Sequence, residues 1–167
     1  MIDMNALEVR TNEGNTLVRP FDFYLKKLEI VGIFGESGSG KTISTKAMFN
    51  LLPKSLVSNA VERVVEGKDL DTLSPREYRK LIGIDVGYIP QNTTEFLHPL
   101  VKIKHQMLEG YVTHQCGTKK EGLKRATELL TLVGLKNPKK VLNGYSFELS
   151  GGMRQRVNIA LSLMTNP

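Results

Sequence analysis

"GESGSGKT", residues 35–42, is the stretch on which the reading of this chain turns. Its spacing, Gly35-x-x-x-x-Gly40-Lys41-Thr42, is that of a loop built to hold phosphate. Glycines let the backbone turn with its N–H groups pointing inward, making a nest that an anion fills without steric obstruction. The positive end of a following helix dipole adds attraction. Lys41 reaches the β- and γ-phosphates as a mobile point charge, and the Thr42 hydroxyl is suited to ligate Mg²⁺. The plainer alternative is a glycine–serine loop that merely turns the chain. Context favours phosphate. "LEIVGIF" (28–34) reads as a short buried strand, and "KTISTKAMFNLLP" (41–53) has helical spacing with a proline stop at Pro53.

Upstream of the loop, "ALEVRT" (6–11) alternates as a strand would, "NEGN" (12–15) is turn chemistry, and "FDFYLKK" (21–27) reads as a return strand. Downstream, "VERVVEG" (61–67) predicts another edge or antiparallel strand. "SPREYRKLIG" (74–83) opens with a capping serine and Pro75 at the first helical position. "VGYIPQ" (86–91) reads as a short buried strand cut off by Pro90. "VKIKHQMLEGYV" (101–112) and "KEGLKRATELLTLVGL" (120–135) are helical. In the second of these, Leu123, Ala126, Leu129, Leu130 and Val133 follow the three–four rhythm of one apolar face. A last helix opens near Gly151 and Gly152. The expected fold is α/β, with N-terminal antiparallel strands, a partial parallel core and a helical insertion.

A length of 167 residues fits one domain, and 40% hydrophobic with 24% charged residues excludes a disordered chain. The longest apolar stretches, Ile30–Phe34 and Ile159–Leu163, are too short to cross a bilayer. "MIDMNALEVR" lacks the basic start and apolar run of a signal peptide. The lone Cys116 forms no internal disulfide, in keeping with a reducing compartment. A formal charge of +6 and a pI near 9.4 favour anionic partners. The local lysines of "TKKEGLKR" (118–125) and "KNPKK" (136–140) read as a solvated helix face and a turn. No aromatics interleave with them, so nucleic acid is not expected. His98, His105 and His114 show no metal spacing.

"LSGGMRQR" (149–156) resembles the signature motif of ATP-binding cassette (ABC) ATPases, and Gln91 resembles their Q-loop glutamine. "GKDLDTLSPREYRKLIG", "YIPQNTTEFLHP" and "YSFELSGGMRQRVNIALSLMTNP" narrow the resemblance to the ATPase subunits of dipeptide, oligopeptide and nickel importers, across nearly the whole chain. The resemblance implies a cassette with residues 1–91 and 156–167 as its core and about 92–155 as a helical subdomain. It implies ATP and Mg²⁺ held by Gly35, Glu36, Ser37, Gly38, Ser39, Gly40, Lys41, Thr42 and Ile43, with Thr42 and Gln91 toward the metal. Lys41 and Gln91 are the implied catalytic residues, Gln91 sensing Mg²⁺ or the attacking water. Leu149, Ser150, Gly151, Gly152 and Met153 would meet the γ-phosphate of a nucleotide held by a second ATPase subunit, in a homo- or heterodimer. Permease subunits are the implied membrane partners, a solute-binding protein acts only indirectly, and the location is peripheral, on the cytoplasmic face of the membrane. Phe96, Leu97, Pro99 and Leu100 are candidates for the permease contact, with core packing an equal alternative.

Three departures qualify the resemblance. "TNEGNT" (11–16) lacks the aromatic residue that stacks adenine in the family, leaving Phe21, Phe23 or Tyr24, which read as strand residues. Met153 stands where many cassettes have glutamine, a variation that suits the peptide and nickel group. The family continues, past the point where this sequence stops, into an aspartate, a glutamate and a histidine that complete hydrolysis. Glu36, Glu66, Glu95 and Glu148 do not sit where a replacement base belongs. The expectation is a truncated chain, incomplete at its C-terminus, that binds MgATP, turns it over barely, and exposes apolar surface that promotes aggregation. The alternative to an importer subunit is a non-catalytic nucleotide-binding fragment or regulatory module. A soluble cassette acting on DNA or ribosomes is supported by the basic charge alone.

Overall fold

Strand β1 (Ile2–Thr11) pairs along one edge with β2 (Thr16–Leu25), and the "NEGN" turn joins them. The computed structural model describes residues 1–92 and 96–167, in two compact units, Met1–Tyr78 and Arg79–Pro167. Glu95, and with it part of "YIPQNTTEFLHP", lies outside the described residues. Within β1 the buried residues are Met4, Leu7 and Val9, which breaks a simple alternation. Ala6 explains the break. It sits at φ 51 where the register shifts, and its N–H donates to the Asp22 carboxylate at 2.8 Å. This bulge absorbs a residue and keeps all three side chains on one face.

The other edge of β1 is shared. β3 (Leu56–Asn59) pairs with its C-terminal half and β4 (Glu62–Val65) with its N-terminal half, both antiparallel. β4 then turns through Glu66 (φ 49) and Gly67 (φ 73) into β5 (Lys68–Asp69), a two-residue hairpin of the primed type. Arg63, buried in β4, donates to Ser58 Oγ at 3.1 Å and lies 3.5 Å from the Asp71 carboxylate, so its charge is paired.

Helix α1 (Lys41–Met48) packs against β1 and buries Ala47 and Met48. It stops before the Pro53 boundary read from sequence, because Asn50 takes φ 51. The Asn50 N–H then donates to Ala47 O (3.2 Å) and the Leu51 N–H to Lys46 O (2.8 Å), a Schellman closure with asparagine in place of glycine. The Tyr78 hydroxyl donates to Phe49 O at 2.5 Å, and burial pushes its pKa up. Tyr78 lies in α2 (Pro75–Lys80), where Ser74 and Glu77 cap each other reciprocally.

Two segments read as parallel core strands are not strands. Leu28–Phe34 is irregular and open to solvent, Ile30 being 99% and Phe34 94% exposed. Val86–Ile89 leaves a π-helical turn (Leu81–Asp85) in extended form and is likewise unpaired. Their β-branched content suits a pleated, half-buried surface, but a strand also needs a neighbour to receive its hydrogen bonds. Every strand pair among the described residues is antiparallel and falls between Ile2 and Asp69.

The second unit is helical: α3 (Ile103–Thr113), α4 (Lys119–Leu132), α5 (Pro138–Asn143), a 3₁₀ turn (Ser146–Glu148) and α6 (Gly151–Ser162). Ala126, Leu129 and Leu130 of α4 are buried as their spacing predicts, and their core includes Met107, Leu142 and Val157. Leu123 is the exception, 38% exposed, because Gly122 takes the position facing α3. A Cβ on Gly122 would lie 2.6 Å from Leu108 Cδ2 and 2.9 Å from Tyr111 Cδ1, so a side chain there would displace both. Leu97 is buried in the same core, whereas Phe96, Pro99 and Leu100 are exposed. No helix among the described residues is long and apolar enough to cross a membrane.

Two arginines tie α4 to α6, which run in opposite directions. Arg125 Nε and Nη2 donate to Met164 O (2.6 Å) and Leu163 O (2.7 Å) beyond the end of α6. Arg156 Nη1 donates to Val133 O (2.8 Å) and Gly134 O (3.1 Å) beyond the end of α4. Gly134, at φ 80, closes α4 through bonds from its own N–H to Thr131 O and from the Leu135 N–H to Leu130 O. At the other end of α4, Thr118 and Glu121 form a capping box. Thr118→Ala is expected to lower stability in urea unfolding by about 1 kcal/mol at neutral pH. The Thr118 hydroxyl, and after it the Thr118 N–H, hold the Glu121 pKa below its ordinary value. That contribution is full above the ordinary value and fades as pH falls through the lowered one, so the gap between wild type and Thr118→Ala should narrow below pH 4.5.

Candidate functional site

The loop before α1 is a tight turn at Ser37–Gly38 followed directly by the helix. Gly38 (φ 84) and Gly40 (φ 90) hold left-handed conformations that a side chain would strain. A Cβ on Gly40 would also stand 3.1 Å from Val18 Cγ2 in β2. Within the loop the Ser39 N–H donates to Glu36 O at 3.2 Å. The Lys41 ammonium folds back over the turn, donating to Gly35 O (2.7 Å), Glu36 O (2.5 Å) and Ser39 Oγ (3.4 Å). The first amides of α1, on Lys41, Thr42 and Ile43, have no intrahelical acceptor, as at any helix start. No acidic residue stands in that first turn, and Gly40 offers no side-chain cap. Thr42 is exposed there. Unpaired helix-start amides, an ammonium folded over the turn and an exposed Thr42 lie within a few positions of one another, a set of groups that fits the phosphates of a nucleotide and an accompanying divalent cation.

The second stretch is another helix start. Ser150 caps α6, its Oγ accepting the Met153 N–H at 3.3 Å. Gly151 and Gly152 follow, exposed, and a Cβ on either would meet nothing within 4 Å. Packing therefore does not demand these glycines, and the space in front of them is open. Leu149 is buried behind them, its carbonyl accepting from Arg154 Nη1 at 2.7 Å.

Gln91 is exposed at the end of the extended stretch 86–90, in the second unit, whereas the phosphate loop lies in the first. Phe21 and Phe23 are half-buried strand residues opposite Leu7 and Met4. Tyr24 is half exposed, and its hydroxyl donates to Met1 Sδ at 3.4 Å. Of the carboxylates weighed above, Glu66 pairs with the N-terminal amine, which holds its pKa below the ordinary value. Glu148 accepts the Tyr145 N–H at 2.7 Å. Among the described residues no cluster of His, Cys, Asp and Glu is arranged to hold a metal ion. Arg125 and Arg156 are structural contributors that the sequence pattern does not reveal. Their acceptors are carbonyls more than twenty positions away, which leave no spacing signal.

A family model for the ABC transporter matches residues 18–167, and the chain belongs to that family. Among its relatives, the oligopeptide transport ATP-binding protein OppD of Bacillus subtilis (strain 168) is 40% identical over 97% of this chain and 46% of its own length. The dipeptide transport ATP-binding protein DppD of Escherichia coli (strain K12) is 35% identical over 100% of this chain and 52% of its own length. The chain thus spans about half the length of the curated relatives it matches. The dimeric structure of MJ0796, a bacterial ABC transporter cassette, superposes with a TM-score of 0.82 at 25% identity, covering 100% of this chain and 71% of the other. A post-hydrolysis state of the same cassette, bound to ADP and Pi, gives 0.81 at 24% identity over the same shares. The fold is that of an ABC ATPase cassette.

Gly40→Ala should cost about 1–2 kcal/mol from its left-handed backbone alone. Urea unfolding followed by circular dichroism reads that loss, and a neutral substitution would contradict the loop geometry.

Proposed function

We propose that this chain is the nucleotide-binding part of an ATP-hydrolysing, energy-coupling subunit of a bacterial ABC importer for peptides or nickel. The observation that carries the reading is the phosphate loop, where Lys41 and the open amides of α1 converge on one turn beside two left-handed glycines. Residues 35–43 are assigned the phosphate tail of ATP, with Thr42 and Gln91 assigned Mg²⁺. When bound, Mg²⁺ neutralises phosphate charge and favours transfer of the terminal group to water. Lys41 stabilises negative charge on the β- and γ-phosphates, and the amides of the loop orient them. Ser150 and the amides of Gly151 and Gly152, with Leu149 and Met153 flanking, are assigned a γ-phosphate presented by a second ATPase subunit.

The names of the relatives, oligopeptide and dipeptide transport ATP-binding proteins, support peptides as cargo. Nickel rests on sequence resemblance alone. Permease subunits and a second cassette are the proposed partners, and the cytoplasmic face of the membrane is the proposed location. The assignment of about 92–155 as the helical subdomain, with 1–91 and 156–167 as core, belongs to the same proposal.

Titration of labelled ATP with Mg²⁺ tests the loop. Lys41→Ala is expected to weaken binding by about tenfold or more, since charge-assisted bonds to phosphate are lost. Equal affinities for the two proteins would overturn the assignment. Phosphate release measured beside binding separates an ATPase from a module that only holds nucleotide.

A further inference from the structure

Residues 98–101 make a tight turn at Pro99–Leu100, closed by the Val101 N–H donating to His98 O at 3.4 Å. Pro99 stands at the second turn position, which its fixed φ suits. Two side chains hold this turn. The first is Gln106 of α3, whose Oε1 accepts the His98 N–H at 2.8 Å. Its Nε2 donates to His98 O (3.0 Å) and Val101 O (2.6 Å). The second is His98 itself, whose ring Nδ1 accepts the Leu100 N–H at 3.2 Å. The two holds differ chemically. An amide keeps its donors and acceptor at any ordinary pH, whereas an imidazole nitrogen accepts only while it carries no proton.

Histidine is the side chain whose charge ordinarily changes between about pH 5 and 8. A proton taken from solvent by Nδ1 leaves N–H groups on both ring nitrogens, so a donor then faces the Leu100 donor and their bond is lost. Charged and titratable neighbours come from three elements. One turn either side of Gln106 on α3 stand Lys102, its cap, and Glu109. The 3₁₀ turn, whose Ser146 Oγ donates to Leu97 O at 3.5 Å, adds Glu148, which accepts the Tyr145 N–H. The extended stretch 86–90 adds Tyr88, its ring 5.7 Å from that of Phe96. No ion pair among the described residues includes His98. We propose that His98 is a proton-operated catch: unprotonated it fastens the Leu100 amide, and protonated it frees the tip of the turn while Gln106 keeps the base in place. Leu100 is 76% and Phe96 50% exposed, so the catch governs how an apolar tip is presented. Its bearing on a permease rests on the partner proposed above, but the catch itself does not.

Amide exchange followed by NMR on the isotope-labelled whole chain tests it, each rate being compared with that of an unstructured peptide at the same pH. Protection of the Leu100 amide should fall about fivefold across roughly pH 8 to 5, as one hydrogen bond is lost. The fall should share its midpoint with the titration of the His98 ring protons. The His98 amide, held by Gln106, should keep its protection over the same range. His98→Asn retains an acceptor for the N–H two residues on and does not titrate, so Leu100 protection should stay level. His98→Ala should leave it low throughout, and His105→Asn should behave as the unsubstituted chain does. Leu100 protection that ignores the His98 titration, or that falls equally in His98→Asn, would overturn the proposal. So would a parallel loss at the His98 amide, which would mean that the whole turn opens.

Discussion

A helix leaves four amides unpaired at its start and four carbonyls at its end, and how this chain meets that constraint organises its structure. Most ends are closed. α2 and α5 open on prolines, which have no N–H to satisfy, and α4 opens on a reciprocal cap. The first amide of α3 is taken by Gly144 O at 3.1 Å. The carbonyls ending α1, α4 and α6 receive Tyr78, Arg156 and Arg125. α1 begins without a side-chain cap, and α6 begins with one serine followed by two exposed glycines. These two helix starts are also the stretches that mark the chain as an ABC cassette, so the places left electrostatically open coincide with the candidate site.

The two arginines give the second of those starts a fixed setting. Arg156 projects from α6 to the end of α4, while Arg125 projects from α4 to the end of α6, so each helix is fastened at both ends of their shared length. Guanidinium groups suit the task because their several N–H donors serve two carbonyls at once and their charge interacts favourably with the negative helix end. Gly134 is part of the same device. A Cβ there would lie 2.5 Å from Arg156 Nη1, so the residue that closes α4 also leaves room for the arginine.

What was legible in the sequence was local. "NEGN", the Ser74–Pro75 start, the face of Ala126, Leu129 and Leu130, and the glycine loop all depend on neighbours within a few positions. Legibility failed where partners are distant. Leu28–Phe34 and Val86–Ile89 have the composition of buried strands, yet composition does not supply the adjacent backbone that makes a strand, and they remain unpaired. The end of α1 was read from Pro53, although Asn50 ends it by a conformation that asparagine tolerates better than most residues. The bulge at Ala6 gave no warning, since alanine is not a usual left-handed residue. Of the candidate site, the members of each helix start were evident from spacing.

The folded-back Lys41 carries a consequence for the movement of its own charge. Its ammonium rests on two carbonyls and a hydroxyl, neutral acceptors that hold the charge over the turn without cancelling it. Drawing the ammonium off the turn breaks three hydrogen bonds, which any new contact of Lys41 must replace. The lysine is thus a latch that the loop keeps shut on itself.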